Sequence, residues 1–218
     1  EMTQNLPNRP LTPETMDPDP LKQFACWFAA AEQAERPLPN AMTLATASRA
    51  GKPSARMVLL KEVDLRGFIF YTNYDSRKAC EIKENSSAAL VFYWPALSRQ
   101  VRIEGTVEVV DRAASERYFA SRPRGHQIEA HASPQSRVIQ DRAFLEQRFQ
   151  AVTEQFSAQQ VPRPANWGGY RLIPEIVEFW QEGEHRLHDR LRYRRGDTGN
   201  QSCFQARHRR RKAKAMRE

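Results

Sequence analysis

Apolar and polar positions alternate in two rhythms along this chain, and the change of rhythm marks its elements. Leu21, Phe24, Phe28 and Ala31 recur at the spacing of one helix face, behind Asp17 and Asp19, each followed by proline; this predicts a first helix to about Ala34. The period then shortens. AMTLATA, the turn SRAGKP and SARMVLLK read as a hairpin, and DLRG turns the chain into a third strand, FIFYTN. SRKACEIKEN predicts a short helix capped by Asp75 or Ser76. SAALVFYW and RQVRIEGTVEVV are further strands, with a bulge at Gly105, where the apolar alternation slips. Three helices follow, around 112 to 121, 125 to 132 and 141 to 157, and the last strands are GGYRLIP, EIVEFWQ and RLHDRLRYR. Strands, inserted helices, then strands again predict an antiparallel β-barrel with peripheral helices.

Composition changes this picture little. The longest apolar run, Ala88 to Trp94, is far short of the roughly 20 residues that span a bilayer, so no membrane segment is expected. The proline-rich, polar start lacks the basic and apolar regions of a secretory signal. Cys26, Cys80 and Cys203 form no CxxC pair, which favours a reducing, cytoplasmic setting over a disulfide frame. The net charge of +8 invites a nucleic-acid reading, but residues 186 to 218 hold twelve Lys and Arg against three acids, leaving the rest at −1 (+8 minus +9). A basic face across the domain is therefore not supported. The cluster RHRRRKAK fits a nuclear-import or RNA-binding tail, or more simply a solvated end, and nucleic acid is not an expected partner.

Several stretches carry anion-binding chemistry. RMVLLK puts Arg56, Val58 and Leu60 on one strand face and Met57, Leu59 and Lys61 on the other, a pattern that also suits a strand with solvated ends. Arg77 and Lys78 open a helix, where free N–H groups favour a phosphate and where cations, opposing the helix dipole, call for an anion. Tyr118 and Arg122 stand four apart ahead of Pro123, able to clamp one phosphate. In VEFWQEGEHRLHDR an extended second half would point Arg186, His188 and Arg190 the same way. His185 and His188 are half of a zinc motif at best: no nearby Cys or acidic pair completes it, and no metal is expected.

Together, ARMVLLK, FYTNYDSRK, VFYWPALSRQVRIEG, YFASRPRGHQI, SPQS, WGGYRLIP and EFWQEGEHRLHDR resemble, in order and spacing from about Pro20 to Arg195, the pyridoxine (pyridoxamine) 5′-phosphate oxidase family. The resemblance implies a split β-barrel FMN-binding fold of Greek-key type and a homodimer with the flavin in the interface. It also implies oxidation of pyridoxamine and pyridoxine 5′-phosphates by O₂ to pyridoxal 5′-phosphate. Arg56, Met57, Val58, Leu59, Leu60, Lys61, Tyr71, Thr72, Arg77 and Lys78 would hold FMN, with Gln100, Gln135, Ser136, Trp180 and Arg190 completing the shell, partly from the other subunit. Lys61, Tyr118, Arg122 and His126 would meet the substrate phosphate; Arg186 and His188, flanking Leu187, would be the catalytic pair at the pyridine ring. The sequence departs from the family pattern at His126, where serine is common, at Glu129, where glycine is usual, and after Arg195. Residues 1–19 are accordingly expected to be a flexible arm, 20–196 the FMN-binding domain, and 197–218 a disordered tail that supplies no closing strand. A non-catalytic flavin- or pyridoxal-phosphate-binding protein of the same fold is the alternative.

Overall fold

The computed structural model describes residues 10–35, 37–196 and 204–208. Helix α1 (Pro20–Ala34) starts where Asp19 accepts a hydrogen bond from the Leu21 N–H, with Pro20 in the first turn, where its missing donor costs nothing. Its buried face is Phe24, Trp27 and Ala31, with Leu21 and Phe28 only partly covered. Strands β1 (Ala41–Ala47) and β2 (Pro53–Leu59) form the expected hairpin, and β3 (Glu62–Asp64), too short to register as a pattern, pairs with β4 (Gly67–Asn73). Helix α2 (Arg77–Glu84) precedes β5 (Ser87–Trp94) and β6 (Arg99–Val109). Helices α3 (Arg112–Ser121), α4 (Arg124–Ala132) and α5 (Arg142–Gln155) follow, then β7 (Trp167–Gln181), β8 (Asp189–Arg195) and β9 (Phe204–His208).

These strands make one antiparallel sheet in the order β2-β1-β5-β6-β7-β4-β3, with β8 and β9 added beside the second half of β7. The antiparallel, mostly-β expectation with peripheral helices is the architecture observed. Alternation in β5 sends Ala88, Leu90, Phe92 and Trp94 inward, where Phe24 lies edge-on to Phe68 at 4.9 Å and 5.0 Å from Phe92. Each such fully buried phenylalanine is worth about 1.5–3 kcal/mol. The predicted bulge is present: the β6–β7 register shifts between Glu104 and Gly105, and a Cβ on Gly105 would lie 2.0 Å from the Ile173 carbonyl oxygen. Only glycine admits so close a backbone.

Four expectations are corrected. GGYRLIP and EIVEFWQ are one continuous strand, because Pro174 falls opposite Gly105 at the bulge, where no ladder donor is required of it. Residues 186–188 are not extended: Glu184–Arg186 is a single tight helical turn with φ of 52° at His185 and 63° at Arg186, and β8 begins only at Asp189. Arg186 and His188 therefore do not share a strand face with Arg190. The expected flexible arm is packed from Pro10 onward, since Leu11 and Met16 join the core, the Leu11 N–H donates to Asp189 and the Tyr193 hydroxyl donates to the Asp17 carbonyl; residues 1–9 lie outside the described residues. Finally, the tail does supply a strand, β9, antiparallel to β8 with Leu191 opposite His208 and Arg195 opposite Phe204. Backbone pairing to the open edge of β8 outweighs the like charge that argued for disorder. The other tail residues from 197 lie outside the described residues.

Candidate active site

Strand β2, strand β4, the start of α2, the end of α3, the start of α4 and the first residue of β7 enclose a cavity of about 570 Å³. Its aromatic wall is a stack: Tyr118 lies on Tyr71 at 3.9 Å and 18°, and Trp167 lies 5.5 Å from Tyr71 at 12°. The stack fits because Gly168 and Gly169 follow Trp167. A Cβ on the first would lie 2.1 Å from the Tyr74 hydroxyl, and on the second 2.8 Å from the Tyr71 ring. Burial pushes the Tyr71 phenol up to about 12, so it stays protonated. Met57, Val58 and Leu59 of β2 supply an apolar edge beside Lys61.

 Leu59 is half-buried there, whereas the Leu60 side chain turns the other way, into the core.

The polar wall gathers cations with too few anions. The Lys78 ammonium, almost fully buried, donates to the Gln135 side-chain oxygen at 2.8 Å and to the Thr72 hydroxyl at 3.1 Å. Burial, and then the charge of Arg56, bring its pKa down to about 8. Arg122 caps the end of α3, with its guanidinium 4.6 Å over the Trp167 ring and 3.9 Å from Glu129. Burial lowers its pKa too, and its Nη1 is buried without a hydrogen-bond partner among the described residues. Leaving such a donor unmatched costs about 1–3 kcal/mol, which an anionic ligand would recover. His126, exposed on α4, stands at the same mouth.

Behind this wall Glu81 of α2 collects donors from three elements. One carboxylate oxygen accepts from the Thr46 and Ser54 hydroxyls, each at 2.5 Å, and lies 3.3 Å from Arg56 Nη2; the other accepts from Arg77 Nε at 2.9 Å. Burial works to raise its pKa, but the hydrogen bonds from Ser54, Thr46 and Arg77 outweigh it and hold it at about 2.

The remaining predicted residues gather elsewhere on the chain. Strand register sets Gln100 opposite Trp180 and Trp180 opposite Arg190, one row across β6, β7 and β8. Arg190 is held at 2.5 Å by Glu178, a fully buried carboxylate that also lies 3.6 Å from Arg102. His188 packs 4.9 Å from Trp180, and its Nδ1 accepts from the Gly183 N–H at 3.3 Å. Arg186 and His188 line a second cavity, of about 680 Å³, together with Arg99 and Gln181. Leu187 is exposed, and Ser136, with φ of 64°, sits beside Gln135 without lining the first cavity. One chain thus brings together the Lys78 and Arg122 group but not the Arg186 group. Trp167 and Glu81 were missed by sequence reasoning, although Glu81 stands four residues after Arg77 and Trp167 directly precedes two glycines. Among the described residues no group of three His, Cys, Asp or Glu could hold a metal, and no helix is long and apolar enough to cross a membrane.

Comparison with known proteins matches residues 28–156 to the family model described as pyridoxamine 5′-phosphate oxidase, and residues 167–209 to the pyridoxine 5′-phosphate oxidase C-terminal dimerisation region. A pyridoxine/pyridoxamine 5′-phosphate oxidase of a Cyanothece species is 56% identical over 84% of this chain and 86% of its own. One from Salinibacter ruber is 53% identical over 90% and 92%. Among solved structures, PhzG from Burkholderia lata, in complex with tetrahydrophenazine-1-carboxylic acid, superposes with a TM-score of 0.85 at 30% identity over 92% of this chain and 98% of its own. An FMN-binding protein from Nostoc punctiforme shares the fold, with a TM-score of 0.70 at 16% identity over 90% of this chain and 100% of its own.

Proposed function

The chain belongs to the pyridoxamine 5′-phosphate oxidase family, with its split-barrel fold, and from that premise we propose that it is an FMN-dependent homodimer oxidising pyridoxamine and pyridoxine 5′-phosphates to pyridoxal 5′-phosphate. The observation that carries this reading is the first cavity, where Lys78 and the unmatched Arg122 Nη1 stand beside a flat aromatic stack. Such a donor set fits phosphates, and its aromatic and apolar walls fit planar rings.

When bound, FMN supplies the two-electron acceptor: the substrate C4′ loses a hydride equivalent, O₂ is reduced to H₂O₂, and water releases ammonia in the amine case. The chain's own residues bind and orient. Lys78, Thr72 and Gln135, backed by Arg56 and Arg77, hold the flavin phosphate, and Met57 to Lys61 follow the flavin edge. Lys61, Tyr118, Arg122 and His126 hold the substrate phosphate, so that the reacting carbon is presented in a fixed place. Gln100, Ser136, Trp180 and Arg190 complete the flavin shell. In a two-fold dimer the Arg186 group of one protomer meets the Lys78 group of its partner, which reconciles two half-sites on one chain with a single reaction centre. Arg186 and His188 then face the pyridine ring, with Leu187 beside them.

The purified protein should be yellow and release a flavin on heating that co-elutes with FMN. Pyridoxamine 5′-phosphate added without oxygen should bleach it, and oxygen should restore the colour with formation of H₂O₂. Recovery of FAD alone, or no bleaching, would refute the proposal.

A further inference from the structure

Glu81 is a buried carboxylate to which the reaction above gives no task. We propose that Glu81 is the positioning residue of the anion corner formed by Arg56, Arg77 and Lys78: it orients the two guanidiniums and keeps three cations together before a phosphate arrives. The proposal rests on reading that corner as the FMN phosphate site.

The geometry ties both guanidiniums of the corner to this one residue, while Lys78 is held beside them by Thr72 and Gln135. Glu81 stands one turn after Arg77 on α2, and its Oε1 takes the Arg77 Nε–H at 2.9 Å. Its Oε2 takes hydroxyls from β1 and β2, and the same hydroxyls accept from Arg56: Thr46 from Nη1 at 2.6 Å and Ser54 from Nη2 at 2.5 Å. The Leu44 carbonyl accepts from Nη1 at 3.2 Å as well, so the guanidinium plane is fixed by acceptors on β1, β2 and α2. Neighbouring like charges repel most where water is excluded, and the Arg56 charge is felt at Lys78. An ionised carboxylate among them offsets that repulsion. Without it Arg56 would lose an acceptor and Arg77 its tether, and the corner would open.

A purely structural strap between α2 and the sheet would make a different prediction. Loosening the helix would weaken every flavin alike, whereas misplacing the cations weakens only a ligand that carries the phosphate. The test titrates the unliganded full chain with FMN and with riboflavin, following quenching of flavin fluorescence. Glu81→Ala should lower the preference for FMN over riboflavin by at least about tenfold, as expected for lost charge-assisted contacts. Glu81→Gln, which keeps an acceptor for the hydroxyls but loses the charge and the acceptor for Arg77, should restore only part of the preference. Equal weakening of both flavins, or an unchanged preference in Glu81→Ala, would overturn the assignment. Should Glu81→Ala fail to fold, Ser54→Ala removes only the hydroxyl shared by Arg56 and Glu81; a reduced FMN preference supports the proposal and an unchanged one overturns it. The unsubstituted chain separates the premises: no FMN preference there refutes the flavin reading itself, while a strong preference that survives both substitutions refutes only the role of Glu81.

Discussion

Lys78 and Arg186 are both assigned to one reaction, yet the molecule holds them in opposite ways. Lys78 is 8% exposed, fixed by Thr72 and Gln135 and set among strands and a helix whose cations share a buried carboxylate. Arg186 is exposed, in a left-handed conformation on the seven-residue stretch, 182–188, between β7 and β8. A binding corner gains from rigid elements, because its ligand must find the donors already in place. In the proposed dimer Arg186 meets the partner protomer's ligand, and a residue with that task gains by projecting from its own chain on a loop. Glu178 repeats the device of Glu81 for Arg190, so the contrast lies between sheet-borne and turn-borne residues rather than simply between the two halves.

The sharpest way to break this comparison is Arg186→Ala. Turnover should fall about 100-fold, the size typical of losing one group that stabilises the transition state, with flavin content unchanged. Loss of flavin in proportion would make Arg186 part of the binding corner instead. Lys78→Ala should do the reverse, weakening FMN about 10- to 100-fold in a fluorescence titration while sparing riboflavin. Arg122→Ala should raise the KM for pyridoxamine 5′-phosphate about tenfold with little change in kcat; a fall in kcat alone would place the substrate phosphate elsewhere.

The smallest effect is pH dependence. Lys78 titrates at about 8 in the folded chain against 10.5 as a free group, so burying its charge costs stability below pH 8, and that cost is relieved as pH rises from 8 towards 10.5. Phosphate binding favours the protonated form, so FMN affinity should be full below pH 8 and decline above it, by at most tenfold per pH unit. Riboflavin affinity, measured in the same buffers, should stay flat. Parallel curves for the two flavins would remove Lys78 from the phosphate corner.

What could be read in advance follows from the range of each cause. Helix α1 was legible because Asp19, Pro20 and the spacing of Phe24 and Ala31 act within a few residues, and the bulge because Gly105 interrupts an alternation. That Lys61, Lys78 and Arg122 line one cavity was not legible from spacing; of the three only Lys78, opposing its helix dipole, stood out as charge out of place, and they were grouped through resemblance to a family. The turn at 184–186 was not: alternating cations in RLHDR look the same on a strand as on a turn, and the conformations of His185 and Arg186 are set by the return of the chain against β7. Strand β9 was misread because its local charge argued against order while the open edge of β8, which pairs with it, is invisible in the tail itself.

The sequence by itself thus determined most of the strands, the helices and the kinds of side chain available to bind anions, since periodicity, capping and charge are local properties. Only the tertiary structure decided that Glu81 would draw together Thr46, Ser54, Arg56 and Arg77, that Trp167 would extend the stack of Tyr71 and Tyr118, and that Arg186 would stand apart from Lys78. Those groupings join residues far apart in the chain, and their hydrogen bonds and burial exist only once the sheet has brought them within a few ångströms.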